Sequence, residues 1–225
     1  MRVVLDLYRT TIGKKAVMAV SGVLLFGFVL AHMAGNLKLY QGPTKMNAYG
    51  EFLRSVGAPV FGHGQVLWIA RIALLVAVGA HAWSAWSLTR QSWDARPERY
   101  RVRTAIQATY AARTMRWGGV ILALFVAFHL ADLTLGWTRA GFLPGQPYQN
   151  VVASLSNPFV AGLYAAANVA LGFHLFHGLW SFFQSLGWNN PNFNPWRRRF
   201  ATVFAWIVTM GNLSFPVAVL TGIVR

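Results

Sequence analysis

Nine residues, Gly172 to Trp180, read GFHLFHGLW and set two imidazoles three positions apart. They lie inside an uncharged apolar run that extends over about 159–187. As a helix rising about 1.5 Å per residue, such a run spans the roughly 30 Å of a bilayer's hydrocarbon. A ring nitrogen at that depth has no water to bond, so each histidine there calls for a partner. Which of the two finds one, and where, decides how the rest of the chain is read.

Four more runs of the same kind stand at about 15–35, 66–89, 117–138 and 200–224. Each holds the roughly 20 residues a membrane helix needs. The alternating pattern of a transmembrane barrel is absent. The chain of 225 residues is 56% hydrophobic and only 11% charged, against about 25% charged in soluble domains. The first run has small residues near its end, at Val29-Leu30-Ala31, but continues without a clear polar cleavage region, so it reads as a retained helix and not a signal peptide. The fold class expected is an all-α integral membrane protein, one transmembrane domain over 1–225, built as a five-helix bundle.

A net charge of +15 suggests nucleic acid until its distribution is followed. Fourteen of the 20 cations fall on one side of the five expected helices: Arg2, Arg9, Lys14 and Lys15, then seven arginines from Arg90 to Arg116, then Arg197, Arg198 and Arg199. Six remain for the other side: Lys38, Lys45, Arg54, Arg71, Arg139 and Arg225. The positive-inside rule then places the N-terminus in the cytoplasm and the C-terminus outside. The charges are accounted for by topology and anionic headgroups, with no nucleic acid as partner. Multi-pass insertion in the cell inner (cytoplasmic) membrane is the localisation expected.

The chain has no cysteine, which excludes disulfides, thiolate-ligated iron–sulfur clusters and covalently attached haem. The outer connection Leu37–Gln65 is expected to form a short surface helix between turns, and the stretch before Asn157-Pro158 an amphipathic or irregular segment. Trp86, Trp93, Trp117, Trp188 and Trp196 gather at the expected inner interface, with Trp68 and Trp137 at the outer one, as aromatic belts do.

Of six histidines, five fall within the expected spans: His32, His81, His129, His174 and His177. His63 belongs to the outer loop and reads as solvated. Taken singly, any buried one serves as well for a helix–helix hydrogen bond. Depth separates them. The first and third helices run outward; His32 stands about 25 Å beyond Lys15 and His129 about 20 Å beyond Arg116. The second and fourth run inward; His81 stands about 14 Å above Arg90 and His174 about 24 Å below Pro158. Two level pairs result, His32 with His129 in the outer half and His81 with His174 in the inner half. His177 lies one turn farther inward.

Two imidazoles at one level from separate helices are what a six-coordinate b-type haem requires, and two levels imply two stacked haems. The expected axial ligands are therefore His32 and His129 for the outer iron, His81 and His174 for the inner. Ser21 and Gly22 lie about three turns inward of His32, on its face of the helix, where a flat macrocycle needs a close backbone; Gly118, Gly119 and Gly172 would serve likewise. The same glycines suit ordinary helix packing equally well. A zinc site would want its ligands at one level, often with carboxylates or thiolates, and a proton relay would want buried acids; of five acids only Asp132 falls inside an apolar run.

At this point the chain resembles a known family. Its segments IGKKAVMAVSGVLLFGFVLAHMAGNL and GFHLFHGLWSFFQSLGW are similar to the first and fourth helices of the cytochrome b subunit of succinate dehydrogenase, in the five-helix, two-haem type shared with dihaem quinol:fumarate reductases. The likeness in helix count and histidine placement covers nearly the whole chain. It implies ligands from the first four helices, and a fourth-helix ligand four residues before a Gly of a GLW-like stretch, which selects His174. His177 would then be an alternative ligand, bond a propionate or line a quinone pocket.

The resemblance also implies partners. An iron–sulfur subunit and a flavoprotein subunit would dock on the cytoplasmic face, succinate chemistry residing in them, while this chain anchors the complex in lipid and passes electrons through the haems to quinone. The quinone expected is menaquinone, as in two-haem members, and a higher oligomer of the complex is compatible with this role. For quinone contacts the candidates are Asn36, Lys38 and Glu51 near the outer haem, and Ser21, Arg9, Lys14 and Trp180 near the inner. One departure stands out: some dihaem fumarate reductases carry an acid two positions before the fourth-helix ligand, where this chain has Gly172. The competing readings are a cytochrome b subunit of a hydrogenase or formate dehydrogenase, a haem-free structural anchor, and, third, a transporter. Succinate oxidation and fumarate reduction share this architecture, so the sequence does not choose between them.

Overall fold

Backbone groups in hydrocarbon must bond within their own segment, so an apolar run of this length has the helix as its only open solution. The computed structural model describes residues 10–95 and 110–225, without the side chains of 110–114, and is helical throughout its long segments. In order these are α1 (Thr11–Asn36), a 3-10 turn (Leu37–Gln41), α2 (Pro43–Ser55), α3 (Gln65–Asp94), α4 (Tyr110–Leu133), α5 (Pro147–Leu155), α6 (Pro158–Ser185) and α7 (Asn194–Leu220). Five of them, α1, α3, α4, α6 and α7, are long and apolar enough to cross a membrane.

Local chemistry sets several ends. Thr10 caps α1 by accepting from the Gly13 amide at 3.0 Å. Asn157 caps α6 by accepting from Phe159 and Val160, with Pro158 in the first turn, where a missing N–H costs nothing. The third span stops at Leu133, short of the 138 expected, because the chain turns at Gly136. That residue has φ +69°, and a Cβ there would meet the Phe142 ring at 2.3 Å. The fifth span starts earlier than expected, at Asn194, with Pro195 in its first turn. The stretch before Asn157 is a nine-residue helix, α5, and the connection after α1 holds α2.

α1 packs along α3, α4 along α6, and α6 along α7; the two halves join where α1 meets α6 and α7. One end of the bundle carries Lys14, Arg90 and Arg197–Arg199 and is called here the basic end; the other is the far end. A core cluster at the far end contains Met33, Leu39, Tyr148, Leu155, Tyr164 and Phe215. The second, toward the basic end, contains Leu175, Leu179, Ala201, Phe204, Ala205 and Val208. At the far end α2 and α5 are tied across the loops: Asn47 donates to Gln149 and accepts from the Tyr148 amide, and Tyr148 donates to the Arg225 carbonyl at 2.7 Å.

Arg197 departs from the expectation that the basic cluster faces headgroups. It is 1% exposed, stacked at 3.8 Å over the Trp180 ring, with bonds to the Trp188 carbonyl and Asn189. Arg198 and Arg199 stay exposed. Arg2, Arg9, Arg96, Arg99, Arg101 and Arg103, and the side chain of Arg113, lie outside the described residues.

Candidate functional site

The imidazoles meet across the two halves of the bundle. His32 of α1 and His129 of α4 have ring centres 5.9 Å apart, with planes at 86°. His81 of α3 and His174 of α6 have centres 6.2 Å apart, with planes at 61°. Each pair joins a helix of the α1–α3 half to one of the α4–α6 half. Ser21 of α1 lies level with His81, and His32 is eleven residues farther along the same helix, so the pairs stand about 16 Å apart along the bundle.

The basic-end pair is positioned by α1. His81 Nδ1 lies 3.1 Å from the Met18 carbonyl oxygen and 3.3 Å from Ser21 Oγ, whose own hydroxyl donates to the Val17 carbonyl at 2.7 Å. A ring whose Nδ1 carries the proton for these acceptors presents the Nε2 lone pair on its other side. Gly22 leaves room for it: a Cβ there would come within 3.4 Å of His81 Cε1. The partner ring differs, since His174 Nδ1 is buried without a hydrogen-bond partner.

The far-end pair is positioned from α6. His129 Nδ1 lies 3.3 Å from the Tyr164 hydroxyl, which donates to Asp132 Oδ2 at 2.9 Å. Asp132, 2% exposed, also accepts from Ser154, from Thr138 at 2.7 Å and from Arg139 at 3.0 Å. Its carboxylate is thus fully bonded, as a buried charge requires. Phe28 stacks on His32 at 5.3 Å, and Phe125 lies 5.9 Å from His129.

The remaining residues singled out by sequence are more scattered. His177 bonds Ser181 one turn away on its own helix, at 3.1 Å. Gly172 packs α6 on α7: a Cβ there would fall 2.3 Å from Thr209 Oγ1, so its bareness serves helix packing and not a macrocycle. Gly118 and Gly119 face open space. Among the quinone candidates, Glu51 is paired with His63 at 2.8 Å and with Arg54 at 3.8 Å; His63 itself is exposed, as expected. Lys38 lies over the Tyr49 ring, and Trp180 under Arg197. Asn36 ends α1 and Lys14 sits in its first turn, both half-buried. Arg9 is outside the described residues.

Two open cavities lie beyond the histidines. One of about 570 Å³ at the basic end is lined by Trp180, Asn194, Arg198, Arg199 and Thr202 among others. A smaller one of about 200 Å³ at the far end includes Arg54, Arg71, Gln146 and Asn150.

Sequence reasoning missed Tyr164 entirely and noticed Asp132 only as a stray acid. The available signal was that acid itself, since a lone carboxylate in an apolar span must have donors somewhere.

A family model described as "Succinate dehydrogenase/Fumarate reductase transmembrane subunit" matches residues 94–212, more than half of the chain. The matched segment includes His129 and His174; His32 and His81 precede it. Neither the comparison with curated proteins nor that with solved structures gives a match.

Proposed function

The chain belongs to the succinate dehydrogenase/fumarate reductase transmembrane subunit family, a multi-pass membrane family, and from that premise we propose that it is the dihaem cytochrome b anchor of a succinate:menaquinone oxidoreductase. The observation that carries the haem reading is the pairing of the rings. Rings facing one another at 5.9 and 6.2 Å, from separate helices and at two levels of one bundle, would each hold one haem iron between their nitrogens.

The residues fit the group by their chemistry as well. His81 offers a neutral ring with its proton turned to α1, and Gly22 keeps the backbone close beside it. His174 Nδ1 is buried with no protein partner, which leaves it for a bound group to satisfy. His81 and His174 would hold the iron at the basic end, and His32 and His129 the one at the far end; His177 is spoken for by Ser181. Each haem, when bound, supplies a one-electron centre.

In this reading the basic end faces the cytoplasm, where the iron–sulfur and flavoprotein subunits dock, and the membrane is the inner (cytoplasmic) one. The chain's own work is to hold two one-electron centres in line across the bilayer and to keep the apolar layer between them dry. Menaquinone, the quinone associated with the two-haem type, binds at one end of that line. Asn36 at the far end and Lys14 at the basic end remain its candidate donors, whereas Glu51, Lys38 and Trp180 are already engaged within the protein.

Adding succinate to the purified complex tests this directly. The b-type absorbance of the chain should be reduced, and a menaquinone analogue should then reoxidise it. Succinate turnover that leaves the absorbance unchanged would overturn the electron-transfer reading in favour of a haem-free anchor.

A further inference from the structure

The two histidines with a resolved Nδ1 partner are held by different chemistry. At the basic end His81 turns its Nδ1 to a peptide carbonyl, that of Met18. At the far end His129 turns its Nδ1 to a phenol oxygen, and that phenol gives its only proton to the buried Asp132 carboxylate. A hydroxyl that donates to an anion becomes a stronger acceptor, because successive hydrogen bonds polarise one another. An imidazole whose N–H is drawn toward such an acceptor is a more basic ligand.

Resting on the paired-histidine reading above, we propose that Tyr164 and Asp132 are positioning residues for the far-end haem: they fix the ring of His129 and raise its donor strength, stabilising the ferric iron and lowering that centre's reduction potential. The geometry favours this over a tie between helices alone. Ser154, Thr138 and Arg139 already bind Asp132 to α5 and to the turn after α4. Tyr164, by contrast, places its hydroxyl between the carboxylate and the ring, and Phe125 and Phe128 pack against its ring to hold it there. Arg139 pairs with the oxygen of Asp132 remote from Tyr164, so the oxygen facing the phenol takes only hydroxyl donors.

The test is a potentiometric titration of the purified complex, following the α-band and the low-spin ferric EPR signals. The far-end centre is identified as the one lost in His32→Ala. Tyr164→Phe keeps the ring and removes both hydrogen bonds. It should raise the far-end centre's reduced-to-oxidised ratio at a given ambient potential about three- to tenfold, up to about 59 mV for a one-electron couple. That centre's EPR g-values should shift, and the basic-end centre should not move. Asp132→Asn, which keeps volume and an acceptor oxygen, should move the same centre in the same direction and decides the matter if Tyr164→Phe does not assemble. Variants that keep both haems with unchanged potentials and signals, even at reduced thermal stability, would overturn the proposal and leave the cluster as a structural tie. A wild-type complex without two b haems would instead overturn the ligand reading on which it rests.

Discussion

His81 Nδ1 lies 3.1 Å from the carbonyl oxygen of Met18, so a histidine of α3 is oriented by the backbone of α1. The contact needs α1 to come close, and Gly22, one residue beyond Ser21, is where it does. Gly22→Val would place a branched side chain where the Cβ alone already reaches 3.4 Å from the imidazole. The ring must then turn, and its Nε2 with it. One of two b haems should be lost, with the far-end centre retained; the visible spectrum and haem content of the purified variant check this.

His174 and His177 separate by substitution. The first faces His81 across the bundle; the second bonds Ser181 on its own helix. His174→Ala should halve the haem content, whereas His177→Ala should leave both haems in place with their potentials little changed. The reverse result would move the basic-end ligand one turn along α6.

Gly172 stands two positions before His174, and its surroundings oppose any side chain there. Thr209 closes on it so tightly that even a methyl group makes the threonine side chain or the two helices shift. Overpacking of this kind costs about 1–3 kcal/mol. Gly172→Ala should therefore lower the unfolding midpoint in detergent, and Thr209→Ala in the same chain should restore most of it. Additive losses would show that the two positions do not touch.

Arg197 is a buried cation held by a ring. Its guanidinium sits 3.8 Å from the Trp180 centroid, an arrangement worth about 2 kcal/mol when desolvated. Two further bonds tie it to the Trp188–Asn189 turn. Arg197→Ala removes the stacking and both hydrogen bonds and should lower thermal stability sharply, by more than about 3 kcal/mol. Arg198→Ala, one residue on and exposed, should leave stability within about 0.5 kcal/mol. Equal effects from the two would contradict the assignment.

The five spans were legible because apolar length and clustered charge are one-dimensional signals, as the match between the run at about 66–89 and α3 illustrates. The level pairing of His32 with His129 and of His81 with His174 was legible for a similar reason: helical rise converts residue number into depth. What the sequence hid depends on lateral packing. Arg197 looks like its two neighbours until α6 brings Trp180 beneath it. Gly172 looks like Gly118 until α7 presents Thr209. Tyr164 is 32 positions from Asp132 and 35 from His129, on a different helix, so no periodicity connects the three. The far boundary of α4 was missed because the turn at Gly136 interrupts a run that stays apolar through Trp137.

In the proposed reading two pairs of histidines each hold one b-type haem, so the number of haems per chain is the decisive quantity. A dithionite-reduced minus oxidised spectrum with pyridine-haemochrome quantitation on the purified complex should give two non-covalent b haems per chain, falling to one in His32→Ala and to one in His81→Ala. A folded complex, from cells grown with ample iron, that carries no b haem, or whose haem content is unchanged by both substitutions, would contradict it.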